Sequence, residues 1–227
     1  MPLLTVGHRG LMGVEPENTL RSFLRAERAG VDVVELDLHL SRDGQLVVMH
    51  DATVDRTTDG SGRIADLSLP ELQKLDAGDG ERVPVLEEVV DAVTSPLQTE
   101  IKDVAAARVL ARLIRRSALR HRVRVISFHD EALREVRALL PDIPLGLVTG
   151  NSTASAPERA RALGADLVSC ALPELTSGVV GRCHAEGIAV ISWTVNTHED
   201  LTRARQLRLD GVVTDSPEIV ARLRPAA

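Results

Sequence analysis

The chain has 227 residues, 26% of them charged, a formal net charge of -6, and only three aromatic side chains, Phe23, Phe128 and Trp193. An acidic balance gives no general attraction to phosphate backbones, and three aromatics cannot build a stacking platform, so composition speaks against nucleic-acid binding. No apolar run approaches the roughly 20 residues of a spanning helix, and residues 1–7 lack the charged and apolar regions of a signal peptide; we expect a cytoplasmic protein without stable membrane anchoring.

Short β-rich apolar runs near residues 3–7, 32–38, 97–102, 122–127, 144–149, 166–170, 188–195 and 211–214 alternate with amphipathic stretches. That alternation predicts parallel strands with crossover helices. Eight such units in a chain of this length fit an α/β fold of the compact TIM (β/α)8 type, a single domain over residues 1–227. A doubly wound open sheet would usually carry a glycine-rich phosphate loop after its first strand, and Gly7-His8-Arg9-Gly10 does not match that fingerprint. Turn signals such as Ala29-Gly30, Leu163-Gly164 and Asp210-Gly211 fall where strands and helices exchange. Ala106, Val109, Leu110, Leu113 and Ile114 follow the helical i, i+3, i+4, i+7, i+8 template, so one face of that helix can cover a sheet. The rhythm breaks after the second strand. There the run Leu46-Val47-Val48-Met49 ends in His50-Asp51, and the polar stretch over about 52–82 is too long for an ordinary connection. We read it as a small insertion above the barrel mouth, a place where functional loops gather.

Strand parity isolates the chemistry. In Glu35-Leu36-Asp37-Leu38-His39-Leu40 every second residue is leucine, so the leucines pack on helices while Glu35, Asp37 and His39 share the inward face. Carboxylates two residues apart stand roughly 6.5–7 Å apart along a strand, close enough to converge on one cation and too close to be buried without compensation. The third run repeats the device, with Glu100 and Lys102 on one face. Neighbouring strands lie roughly 4.8 Å apart, so Glu100 can complete a three-carboxylate oxygen site. Such a donor set suits one divalent cation, Mg²⁺ or Ca²⁺ with Mn²⁺ also admissible, rather than Zn²⁺. Lys102 would then stand next to an anionic substrate; the competing reading makes it the partner of a buried ion pair.

His8 follows the first strand and His50 ends the extra one, so both fall at C-terminal strand ends, where barrel active sites assemble. Two histidines at one rim beside the acids suit a general acid and a general base at neutral pH. Arg9 adds a fixed charge for phosphate oxygens or for an acidic neighbour. His39 reads equally as a catalytic group and as a polar side chain hydrogen-bonded near the rim. His121, His184 and His198 read as surface residues, and Asp130 as a helix N-cap. Cys170 and Cys183 have no metal-ligand partners at close spacing and are expected to be reduced structural thiols.

The ordered set Gly7-His8-Arg9-Gly10, Pro16-Glu17-Asn18-Thr19, Glu35-Leu36-Asp37-Leu38, and His50-Asp51 with Asp55-Arg56-Thr57-Thr58-Asp59-Gly60-Ser61-Gly62 resembles the glycerophosphodiester phosphodiesterases. The likeness continues through Val83-Pro84-Val85-Leu86, Glu100-Ile101-Lys102, Ser127-Phe128, Trp193-Thr194-Val195-Asn196 and Asp210 to Pro217, and covers essentially the whole chain. The resemblance implies a TIM barrel with a small insertion after its second strand. It also implies metal-dependent hydrolysis of a small-molecule glycerophosphodiester to sn-glycerol 3-phosphate and an alcohol. By the same resemblance Glu35, Asp37 and Glu100 would bind the cation, and His8 and His50 would be the acid/base pair, with Arg9 and Lys102 on the phosphate. The sequence departs in two places that bear on substrate preference: His39 stands where the family often has glutamine, and the insertion is short.

Two other functions compete. A lysophospholipase D-like phosphodiesterase would need an apolar channel at the barrel mouth, which the polar insertion does not advertise. A noncatalytic barrel binding phosphorylated metabolites would predict loss of His8 or His50, and both are present. Phe128 and Trp193, near the ends of the fourth and seventh strands, are candidate walls for the substrate. Two aromatic faces cannot cage a choline ammonium, so broad headgroup tolerance is expected, with recognition centred on the glycerol phosphate.

Overall fold

The computed structural model describes residues 3–151 and 153–224. The outermost residues of the single-domain reading, 1–2 and 225–227, lie outside the described residues. Each run read from the sequence is a strand: β1 (Leu4–Gly7), β2 (Val33–Leu40), β3 (Leu46–Val48), β4 (Leu97–Ile101), β5 (Val123–Ser127), β6 (Leu145–Thr149), β7 (Leu167–Ala171), β8 (Ala189–Trp193) and β9 (Gly211–Thr214). Parallel pairing runs from β2 through β4 to β9 and on to β1, and the β1–β2 pairing closes the ring. The result is a TIM barrel. β3 lies outside that ring, antiparallel to the end of β2, with Leu38 opposite Val48.

Helices α1 (Leu20–Ala29), α3 (Leu86–Ala92), α4 (Ala106–Arg116), α5 (Asp130–Leu139), α6 (Ala156–Leu163), α7 (Ser177–Ala185), α8 (His198–Gln206) and α9 (Pro217–Leu223) connect the strands, and α2 (Leu69–Leu72) belongs to the insertion. Their boundaries follow local chemistry. Thr19 Oγ1 accepts from the Ser22 amide and starts α1, and Gly30, at φ 84°, ends it in the left-handed conformation that glycine tolerates best. At α5 the capping residue is His129 rather than Asp130, which is already the first helical residue and places its carboxylate against the positive end of the helix dipole.

Alternation sorts each strand into two layers. Leu36 and Leu38 are fully buried against the helices together with Ala106, Leu110 and Ile114 of α4, the face predicted from its periodicity. Inside the ring, Val6, Leu167, Ile191 and Val213 fill the axis. Among the described residues these side chains plug the barrel, and the pocket near its axis opens at the strand ends. No helix among the described residues is long and apolar enough to cross a membrane.

The insertion has its own small core. Val54, Ile64, Leu72, Ala77 and Val83 pack with Val47 and Met49, so the segment that reads as polar is anchored on the outer face of β3. Its short helix α2 begins at Ser68, whose amide and hydroxyl both donate to Glu71.

Candidate active site

Register brings the acids together. Asp37 and Glu100 are direct partners across β2 and β4, and Glu35 lies one inward position below Asp37. One oxygen from each of Glu35, Asp37 and Glu100 lies within 4.8 Å of the others, and the residues are only 4%, 1% and 7% exposed. Around them, Lys102 Nζ donates to Glu100 at 2.9 Å and sits 3.6 Å from Asp37. Arg9 Nε is 3.3 Å from Asp37, and the Arg9 amide donates to Glu35 at 2.9 Å. That amide is aimed by a left-handed backbone at Arg9, φ 48°, a conformation unusual for a residue with a side chain. Gly7 permits the tight turn beneath it, because a Cβ there would lie 2.6 Å from the Gly10 carbonyl oxygen. Asn18 completes the cradle, donating from Nδ2 to Asp37 at 2.8 Å.

Charge is unbalanced within this cluster. Burial would raise Asp37, but the charges of Lys102 and Arg9 outweigh it and hold the carboxyl below its ordinary range. Burial followed by the Asp37 charge pushes Glu100 up to about 7, and burial with both neighbouring acids lifts Glu35 well above the usual carboxylate range. Two cationic side chains thus fail to satisfy three buried acids. A hard divalent cation would, and an all-oxygen donor set is its natural partner. The residues present fit Mg²⁺, Ca²⁺ or Mn²⁺.

Each predicted histidine is backed by an aspartate. His8 Nδ1 hydrogen-bonds Asp215 at 2.6 Å; Asp215 in turn accepts from Asn196 Nδ2 at 2.6 Å and donates its amide to Asn196 Oδ1 at 2.9 Å. His50 Nδ1 hydrogen-bonds Asp51 at 2.6 Å, and the Arg56 guanidinium locks Asp51 from the other side. Hydrogen-bonding with Arg56 holds Asp51 far below the ordinary carboxylate range, and burial lowers His50. In both pairs the carboxylate claims Nδ1 and leaves Nε2 for chemistry.

His8, Arg9, Glu35, His50, Glu100, Lys102, Phe128 and Trp193 all line one pocket of about 220 Å³ at the strand ends. Asp37 lies just behind its wall. Ile126, Val148 and Val213 join the two aromatics as the apolar part of the lining. His39 takes its plainer reading: it is buried outside the pocket lining, and Nε2 bonds the His50 carbonyl at 3.0 Å. His184 pairs with Asp210 away from the site. Sequence reasoning assigned no role to Asp215, Asn196, Asp51, Arg56, Glu17 or Asn18, although all stand within the motifs that carry the family resemblance. Gln98 was also missed, and its signal was parity: it lies two residues before Glu100, faces the pocket, and its buried Oε1 has no hydrogen-bond partner.

A closed barrel that gathers three buried acids able to hold a cation and two aspartate-backed histidines at its strand ends has the equipment of a phosphoester hydrolase. The Glycerophosphoryl diester phosphodiesterase family model matches residues 8–219. The glycerophosphodiester phosphodiesterase of Caldanaerobacter subterraneus subsp. tengcongensis is 35% identical over 98% of both chains. Among solved structures, an Oleispira antarctica phosphodiesterase in complex with the product sn-glycerol-3-phosphate aligns with a TM-score of 0.90 and 28% identity, covering 98% of this chain and 96% of that one. A putative glycerophosphoryl diester phosphodiesterase from Silicibacter pomeroyi aligns with a TM-score of 0.91 and 26% identity over 97% and 92%. The chain belongs to the glycerophosphoryl diester phosphodiesterase family, and is thereby an enzyme of the phosphodiesterase class.

Proposed function

We propose that the protein hydrolyses glycerophosphodiesters to sn-glycerol 3-phosphate and an alcohol by histidine acid/base catalysis at a single divalent cation. The observation that carries the reading is the convergence of two aspartate-backed histidines, three buried acids and Lys102 on one small pocket. Glu35, Asp37 and Glu100 would hold the cation, which when bound supplies a Lewis acid for phosphoryl oxygens.

The chain's own residues account for the remaining steps. Lys102 and Arg9 offer fixed positive charge to the nonbridging oxygens, where negative charge grows in the transition state. One histidine takes the proton of the attacking hydroxyl at Nε2 as the new phosphorus–oxygen bond forms. The other gives its Nε2 proton to the alkoxide released as the old bond breaks. Asp215 and Asp51 keep each imidazole in the required tautomer and stabilise the imidazolium form. The attacking hydroxyl is either water or the glycerol 2-hydroxyl, and trapping a cyclic glycerophosphate in single-turnover reactions separates the two.

A lysophospholipase D-like activity ranks second, because the pocket of about 220 Å³ suits a glycerol phosphate, and the space beyond Phe128 is lined by Thr149, Asn151 and Arg159 rather than by an apolar channel for an acyl chain. The decisive test measures glycerol 3-phosphate release from a panel of diesters with Mg²⁺, Ca²⁺, Mn²⁺ or chelator, for the wild type, His8→Ala and His50→Ala. Activity should require a divalent cation and both histidines. Turnover of glycerophosphocholine that survives the chelator and both substitutions would overturn the reading.

A further inference from the structure

The pocket does not end at Phe128. A second cavity of about 310 Å³ shares Phe128 and Val148 with it and extends to Arg159 of α6. The catalytic pocket, at about 220 Å³, is smaller than the ~300–1,000 Å³ that typically encloses a drug-sized ligand. It can take a glycerol phosphate, which leaves the second alcohol of a diester to the adjoining cavity. Phe128 is the wall between the two.

The charge of that cavity is set by α5 and α6. Arg159 donates to Asp130 at 2.6 Å, and Arg134 faces the same carboxylate at 3.6 Å. Of these three charged groups only Arg159 lines the cavity, so the charge presented to its interior is a guanidinium. Arg159 uses one donor on Asp130 and, with five in its fork, keeps others for a ligand. The aromatic wall is committed too. Lys102 Nζ lies 5.5 Å from the centre of the Phe128 ring, and Trp193 meets that ring edge-on at 5.9 Å while its own N–H donates to the Ser169 carbonyl. A quaternary ammonium arriving here would compete with Lys102 for the Phe128 ring and meet the field of Arg159.

We propose that this second cavity is the subsite for the leaving alcohol, and that it selects alcohols whose far end carries hydroxyl, carboxylate or phosphate oxygens over those ending in an alkylammonium. The inference rests on the reading of the site as a glycerophosphodiesterase. It replaces general headgroup tolerance with a directed preference.

The test compares kcat/KM of the cation-loaded enzyme for glycerophosphoglycerol, glycerophosphoinositol, glycerophosphocholine and glycerophosphoethanolamine, in wild type, Arg159→Met and Arg159→Glu. The wild type should favour the two polyols over the two ammonium substrates by about tenfold, the ratio that one moderately screened charge contact produces. Arg159→Met should shrink that ratio about threefold, and Arg159→Glu should erase or invert it. Wild-type preference for either ammonium substrate, or a ratio that neither substitution moves, would remove the subsite while leaving the hydrolase intact. Turnover of none of the diesters would instead overturn the reading of the catalytic site, and the subsite with it.

Discussion

Arg56 grips Asp51 with two hydrogen bonds, from Nε to Oδ2 at 2.6 Å and from Nη2 to Oδ1 at 3.1 Å. The same guanidinium donates to both oxygens of Glu17 at 2.8 Å, and Glu17 accepts from Arg9 at 2.9 Å. One side chain of the insertion therefore fixes both the carboxylate behind His50 and the one beside Arg9. Arg56 is half-exposed, but Glu17 is nearly buried and the guanidinium ties two carboxylates into one network, so Arg56→Ala should cost about 1–2 kcal/mol of stability. Turnover of the folded variant should fall as well. Groups that orient a reacting side chain are typically worth about 10–100-fold, and kcat should fall by that factor with little change in KM. Arg56→Lys should recover only part of it, since an ammonium cannot serve two carboxylates in the planar fork geometry. Steady-state kinetics beside thermal melts would show the split; wild-type kcat in Arg56→Ala would mean that His50 needs no such support.

The His8–Asp215 pair makes a sharper prediction. An asparagine at 215 can donate to Nδ1, which forces the imidazole proton onto Nε2: as the base, His8 then has its accepting nitrogen blocked, and as the acid, it lacks the carboxylate that supports its doubly protonated ring. Where this swap occurs in a histidine–aspartate pair, kcat can fall about 10⁴-fold with the fold intact. Asp215→Asn should therefore lower kcat by at least about 10³-fold. Asn196→Ala, which only loosens Asp215, should cost about tenfold. Comparable rates for Asp215→Asn and the wild type would show that His8 moves no proton.

These two pairs mark where the sequence stops being readable. Period-two alternation leaves Glu35 and Asp37 no other face than the one opposite Leu36 and Leu38, so the acid cluster follows from strand parity alone. The barrel followed from the same regularity. Asp215 and His8, however, are 207 residues apart and meet only because β9 closes on β1. Arg56 reaches Glu17, 39 positions away in sequence, from one loop to another, where no period constrains direction. The insertion reads as a polar stretch and its core stays hidden for a related reason: Val54, Ile64, Leu72 and Val83 pack together without any regular spacing.

The cysteines give a test of packing independent of catalysis. Cys170 and Cys183 are fully buried free thiols, pushed up to about 12 and about 11 by burial. Since the thiolate is the reactive form, neither should react with a thiol reagent at neutral pH over minutes in the native protein. Both should react at once in denaturant without added reductant. One thiol titrating before unfolding would show that the helix layer over β7 opens locally.

Glu100 sets the response of the cation-free protein to pH. Burial, then the Asp37 charge, raises its pKa from 4.5 to about 7, so the folded state binds more protons than the unfolded state between those values. Stability must then fall as pH rises through that window, and Glu35, raised for the same reasons, extends the fall upward. His50 acts in the opposite sense. Burial lowers it below 6.5, so its contribution grows as pH rises toward that value. Glu100→Gln removes the first effect and keeps the His50 contribution. In chelator, the wild-type melting temperature should therefore drop, relative to Glu100→Gln, from about pH 5 to about pH 8. Saturating Mg²⁺ should restore it, by about 2.7 kcal/mol at a hundredfold excess over Kd, most strongly at the alkaline end and weakly in Glu100→Gln. A wild-type advantage that does not shrink with rising pH would count against the buried, proton-binding state of Glu100, and an equal Mg²⁺ response in both proteins would place the cation elsewhere.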